Sequence, residues 1–152
     1  MTNIWLAKSE EEVYSIEHLK RDKRTLWEGV RNYQARNMLR DDWQVGDKIL
    51  FYHSNSAPTG IAGLAKVSKV GIPDPTQFMP KSDYFDPKSK KENPTWVAPE
   101  IAFVQKFQLV ITLDMIRKEK KLKSMAVLKR GNRLSIQPVT NEEFQTILKM
   151  TK

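Results

Sequence analysis

The sequence predicts an α+β fold, a small barrel of short strands with short helices between them. Three observations carry this. Strand-like runs recur at Asn3–Lys8, Asp47–Ser54 and Ile61–Val70, and the helical stretches between them are too short to cover a doubly wound parallel sheet. Side chains that can take orphan backbone amides mark helix starts at Ser15, Asn32 and Thr140. The length, 152 residues, matches a single domain (1–152) that can bury a core without staples.

Each element follows from local chemistry. Asn3–Lys8 is apolar and β-prone, so it forms a first strand. Ser15 caps a short helix to about Asp22. Asn32 caps a second, Tyr33–Leu39, where Ala35, Met38 and Leu39 recur at helical spacing. In Asp47–Ser54, Ile49, Phe51 and His53 share one face, and Leu50, Tyr52 and Ser54 the other. Ile61–Val70 is a second central strand, and Gly60 and Gly63 suit a bulge or a close backbone approach. Six of the eight prolines lie between Gly71 and Pro99. That stretch is a long loop, and Phe78, Tyr84 and Phe85 make it too aromatic for a floppy linker. Trp96–Leu109 reads as an irregular strand or strand pair, pushed toward a sheet edge by Pro99. Thr112–Lys118 is a short helix and Arg133–Gln137 a closing strand. Thr140-Asn141-Glu142-Glu143 is a capping box, and Phe144, Ile147 and Leu148 form the apolar stripe of the helix it opens.

Composition removes several functional classes. Apolar residues at 39%, charged residues at 29% and four tryptophans describe a soluble globular chain rather than a disordered one. With no cysteine there is no disulfide scaffold, thiol nucleophile or Cys-based metal site. Only two histidines, His18 and His53, argue against a His-rich metal site, and His53, in mid-strand, reads as structural. No metal and no cofactor are expected. No apolar window approaches the length of a membrane span, and the N-terminus lacks the build of a secretion signal. The expectation is a monomer in a bacterial-type cytoplasmic setting.

Charge points to the partner. The net charge is +8, which favours anionic partners, nucleic acid first. Arg117–Arg133 holds eight Lys/Arg and one acid, and Lys20–Arg40 holds seven and two. Such runs release counterions from phosphates, although a charge run is equally a device for solubility. The second run is the more informative. Trp27–Asn37, WEGVRNYQARN, interleaves two aromatics with two Arg, two Asn and a Gln. Aromatic faces stack on bases, amide groups read base edges, and guanidinium groups clamp phosphates. The alternative for Trp27 and Tyr33 is a core role. Lys8-Ser9-Glu10 leaves the first strand into a loop and can line a pocket mouth. No phosphate-cradling glycine motif, GxSxG or HExxH is present in the sequence.

WEGVRNYQARN resembles the signature of the EVE domain family. Colinear segments extend the resemblance over essentially the whole chain: Ile4–Glu10, Tyr52-His53-Ser54-Asn55-Ser56, Tyr84–Ser89 with Asn93–Trp96, and Arg133–Thr140. The resemblance implies a PUA-like fold, a small partly open β-barrel flanked by short helices, distantly similar to YTH and ASCH domains. It implies non-catalytic binding of modified nucleobases in DNA or RNA. By similarity to the YTH pattern, Lys8 and Ser9 follow the first strand, and Trp27 and Trp96 form two walls of an aromatic cage. Position and chemistry add Glu10, Asn32, Tyr33 and Asn55 to the base-binding set. Arg31, Arg36, Lys129, Arg130 and Arg133 are the phosphate-binding set. The family opening carries proline where this chain has Glu11, which predicts a looser turn after Glu10. Two alternatives stand beside the reader: an ASCH-like hydrolase acting on a modified nucleobase or nucleoside, with Lys8 and Glu10 as its pair, and a general RNA-binding module.

Overall fold

The computed structural model describes residues 3–132 and 134–152. Six strands form one sheet: β1 (Ile4–Glu10), β2 (Arg24–Leu26), β3 (Lys48–Ser54), β4 (Gly60–Lys69), β5 (Glu100–Thr112) and β6 (Ile136–Val139). Four α-helices flank it: α1 (Ile16–Asp22), α2 (Tyr33–Asn37), α3 (Leu113–Lys118) and α4 (Asn141–Met150). The order across the sheet is β2-β5-β4-β3-β1-β6, with no pairing among the described residues that closes it, and the sheet curls into a partly open barrel. The α+β class and the PUA-like architecture are therefore as expected.

Both faces of the sheet are covered, which the alternating pattern did not announce. Trp5, Ala7, Ile49, Phe51 and Val67 pack on one face with Ile16 and Leu19 of α1 and Ala35 of α2. Ile4, Leu6, Leu50, Tyr52 and Leu64 pack on the other with Ile116 of α3 and Phe144 and Ile147 of α4. Ile49–His53 is consequently buried without a break. One pair, β1 with β3, is parallel, while the others are antiparallel. The bulge expected at the glycines is present in the β4–β5 register around Gly63, and a Cβ on Gly60 or Gly63 would lie within 2.3 Å of a β5 carbonyl oxygen.

Several boundaries differ from expectation. The regular helix after Asn32 ends at Asn37 and continues as a wider π-type turn, Met38–Asp42. β5 begins after Pro99, so Trp96 lies outside it, in the end of the long loop. β5 is flanked by β2 only at Glu100–Ala102, so the edge there is the three-residue β2. The closing strand is Ile136–Val139 rather than Arg133–Gln137. β6 is an edge strand, where Pro138 costs no ladder bond on its open side. Arg133 lies outside the described residues. The turn after Glu10 is closed rather than loose: the Val13 and Tyr14 amides both donate to the Glu10 carbonyl, at 3.0 and 2.9 Å.

Capping chemistry follows the expected residues. Ser15 and Thr140 each form a reciprocal box, the first with the His18 ring, the second with the Glu143 carboxylate. His53 is structural, as expected: its Nε2 accepts the Ile16 amide at 3.0 Å at the start of α1.

Candidate functional site

A cleft of about 560 Å³ opens where β1 ends. Lys8, Ser9 and Glu10 bring it the strand end. Val13 and Tyr14 come from the closed turn, and Thr25 and Leu26 from β2. Trp27–Asn32 forms one wall, and Tyr84 and Ser135 complete it. The sheet order explains the convergence: β1 and β2 lie in the same curled sheet with three strands between them, and their ends frame the opening.

The Trp27–Asn32 wall is held rigidly. The Trp27 amide donates to the Pro99 carbonyl at 2.7 Å, and the Gly29 amide to the Asp74 carboxylate at 2.7 Å. The Trp27 ring packs edge-on against Phe51, centroids 5.7 Å apart, and is almost wholly buried. Gly29 has φ +86°, and a Cβ there would meet the Tyr84 ring at 2.8 Å. A glycine is therefore required both for the backbone conformation and for Tyr84 to reach the cleft.

Arg31 and Asp74 lock the long loop to this wall. Asp74 is fully buried and accepts from Gly29, Thr76 and Arg31, whose guanidinium stands 3.0 Å away. Burial opposes ionisation of Asp74, but these donors outweigh it and hold the carboxyl below its ordinary range. Arg31 also donates to the Thr76 hydroxyl and to the carbonyls of Val30 and Tyr84.

Two charged groups in the cleft have no ionic or hydrogen-bond partner among the described residues. Lys8 lies with its Nζ 5.9 Å from the Tyr52 ring centroid, and burial lowers its pKa. Glu28 makes no side-chain hydrogen bond or ion pair among the described residues. The cleft walls remove enough water to push its carboxyl upward, Asp74 adds to this, and Arg31 opposes it. The Tyr14 hydroxyl donates to Asp22 at 2.8 Å, and burial, then that carboxylate, push its pKa to about 12.

The sequence-predicted residues divide into three groups. Lys8, Ser9, Glu10, Trp27, Arg31 and Asn32 all line the cleft. Four of these have polar side-chain atoms already engaged: Arg31 in the contacts with Asp74, Thr76 and Tyr84, the Ser9 hydroxyl as donor to the Tyr14 carbonyl at 2.6 Å, Glu10 as acceptor from the Asn55 amide at 2.9 Å, and Asn32 as the cap of α2 through Ala35. Asn55 thus reaches the cleft through Glu10 without lining it.

Trp96 and Tyr33 are not brought there. The Trp96 backbone is pinned to Gln77, its indole N–H donates to Asp86 at 2.8 Å, and its ring is covered by Tyr33, centroids 4.9 Å apart, with Arg31 and Arg36 nearby. The expected pair of facing indoles is therefore not formed: the long loop folds Trp96 inward as its own anchor. Arg36 donates to Asn37 and to the Thr95 carbonyl, so it also ties the loop down. Lys129 and Arg130 are exposed, on the turn that leads toward Ser135.

Sequence reasoning missed Tyr14, Leu26, Glu28, Val30 and Tyr84. Of these, Glu28 and Val30 lay inside the singled-out motif, and Tyr84 lay in the aromatic loop. A second depression, of about 840 Å³, lies at the start of β1, lined by Asp41, Asp42 and Gln44. Lys48 also lines it, and Arg40 pairs with Asp41, so its charges largely offset one another.

A curled PUA-like sheet with a cleft at the end of its first strand defines the class. The particular family follows from comparison. The EVE domain model matches residues 3–150, and the chain belongs to that family. It is 40% identical over 169 residues to human Thymocyte nuclear protein 1, covering 99% of this chain and 74% of that protein. A structure of a hypothetical protein from Leishmania major is 42% identical with a TM-score of 0.94, covering 99% of this chain and 95% of that one. The structure of human THYN1 in complex with 5-methylcytosine containing DNA is 40% identical with a TM-score of 0.90, covering 99% and 98%.

Proposed function

We propose that this chain is a non-catalytic reader of modified nucleobases in DNA or RNA, and that the Lys8–Trp27 cleft takes the base. The observation that carries the reading is the cleft itself. It is large enough for a planar base, has apolar walls at Leu26, Trp27 and Val30, and holds polar groups, unpaired among the described residues, that can meet a base edge. The human relative's complex with 5-methylcytosine containing DNA supports a nucleic-acid ligand of this kind. In this reading Lys129 and Arg130, exposed on the turn that precedes Ser135, meet flanking phosphates. Arg31 and Arg36 serve mainly to hold the loop, because their donors already have partners.

A methyl group adds contact with the apolar walls and needs no donor. The preference for modified over plain base is about 1–3 kcal/mol, the worth of one methylene in a snug pocket. Extrusion of the base from a duplex costs about a few kcal/mol, so single strands bind better. The hydrolase alternative needs Lys8 and Glu10 to cooperate, but Glu10 is held by Asn55 and no ion pair joins the two among the described residues.

The test is a tryptophan-fluorescence titration with single-stranded oligonucleotides carrying one central cytosine or 5-methylcytosine, repeated with Lys8→Ala. Saturable quenching that is tighter for the methylated strand, absent in Trp27→Phe and weakened about tenfold by Lys8→Ala, is expected. Equal affinity for both strands would favour the general RNA- or DNA-binding module.

A further inference from the structure

Glu28 carries an inference that rests on the base-reading cleft and goes beyond it. Of the two carboxylates that line the cleft, Glu10 is engaged by the Asn55 amide, while Glu28 has no hydrogen-bond or ionic partner among the described residues. Its backbone is nonetheless fixed on both sides, by Trp27 to the Pro99 carbonyl and by Gly29 to the Asp74 carboxylate, each at 2.7 Å. A carboxylate that borders a base-sized cleft on a rigid wall, with nothing inside the chain to satisfy it, is placed to accept hydrogen bonds from a ligand. Lys8 is the matching cation, without an ionic or hydrogen-bond partner for its ammonium among the described residues. No ion pair joins the two among those residues, so they present an acceptor and a donor at separate points of the cleft.

The base edges differ in how they meet such a pair. Cytosine and adenine each carry an exocyclic amino donor beside a ring acceptor. Thymine and uracil carry a carbonyl where cytosine carries the amino group, so a carboxylate there meets a lone pair instead of a proton. An ionised carboxylate is acceptor-only and cannot adapt.

We infer that Glu28 is a specificity-determining residue that selects bases bearing an exocyclic amino group, accepting a hydrogen bond from that group while Lys8 donates to the adjacent ring or carbonyl acceptor. The ligand class is an amino-bearing modified base such as 5-methylcytosine, and 4-oxo bases are rejected.

The experiment uses the full chain and two single-stranded DNA probes that are identical except at one central position, 5-methyl-2′-deoxycytidine or thymidine. The two bases differ only at ring position 4 and at the neighbouring ring nitrogen. Wild-type chain binds the 5-methylcytosine probe at least about tenfold more tightly. In Glu28→Gln, whose amide both donates and accepts, the ratio falls to within about threefold. Glu28 is exposed and its side chain makes no hydrogen bond or ion pair among the described residues, so the variant folds, and an unchanged thermal transition checks this. Equal affinity of the wild type for both probes, with tryptophan quenching still dependent on Trp27, overturns this inference and leaves the cleft reading intact. A ratio that survives in Glu28→Gln also overturns it. Absence of any Trp27-dependent response to either probe removes the cleft reading and this inference together.

Discussion

At the scale of single residues, His53 shows how one buried side chain ties the cleft to the core. Its Nε2 accepts the Ile16 amide, so Nδ1 carries the proton, and that atom is buried with no hydrogen-bond partner among the described residues, 3.6 Å from Glu11. Burial depresses its pKa below the ordinary value of 6.5, against a smaller upward pull from Glu11. The sign follows from linkage. Above pH 6.5 the folded and unfolded states both hold His53 neutral. As pH falls below that value the unfolded state gains a proton that the folded state refuses, so stability is lost down to the folded pKa. Protonation would also remove the acceptor that starts α1. Thermal melting at pH 7.5 and 5.5 should show a larger fall in Tm for the wild type than for His53→Gln, whose amide oxygen can keep the Ile16 contact. Equal falls would mean that His53 stays outside the acid response.

At the scale of elements, the long loop is the least regular part of the chain and among the most firmly tied. Asp74 binds it to the Trp27–Asn32 wall through Gly29 and Arg31 and organises the turn at Thr76. All of its partners donate. Asp74→Asn would place an amide N–H₂ among donors and leave Arg31 without its counter-charge. Breaking a buried pair of this kind costs about 3 kcal/mol. Urea denaturation should show that loss, and limited proteolysis should find cleavage sites opening between Gly71 and Pro99. A change under about 0.5 kcal/mol, the size of an ordinary surface substitution, would show that the loop is held elsewhere. The same ties explain the fate of Trp96. A ring whose backbone, indole N–H and face are all engaged is an anchor, and the aromatic side chains that line the cleft beside Trp27 are Tyr14 and Tyr84, the latter resting on Gly29.

At the scale of the whole molecule, legibility followed locality. The caps at Ser15, Asn32 and Thr140 depend on neighbours a few residues away, and they were readable. The curled sheet depends on which strands meet, and the family resemblance rather than periodicity supplied it. Strand patterning also concealed that both faces are covered, because Ile49–His53 fits an alternating or a fully buried strand equally well. In the cleft, Lys8 and Trp27 were readable because strand ends and aromatic motifs carry recognisable chemistry. Glu28 was hidden because an isolated glutamate looks like any surface charge until its neighbours are seen to be fixed and its carboxylate unpartnered. Trp96 was misassigned because its place depends on Gln77 and Asp86, side chains that only the folded loop brings to it.

The base-binding cleft is tested most directly by ¹H–¹⁵N correlation spectra of the chain, titrated with a single-stranded oligonucleotide that carries one 5-methylcytosine. Shifts concentrated at Lys8–Glu10, Thr25–Asn32 and Tyr84, and larger than those produced by the unmethylated strand, are predicted. Shifts confined to the Lys-rich Arg117–Arg130 run, identical for the two strands, would contradict the account.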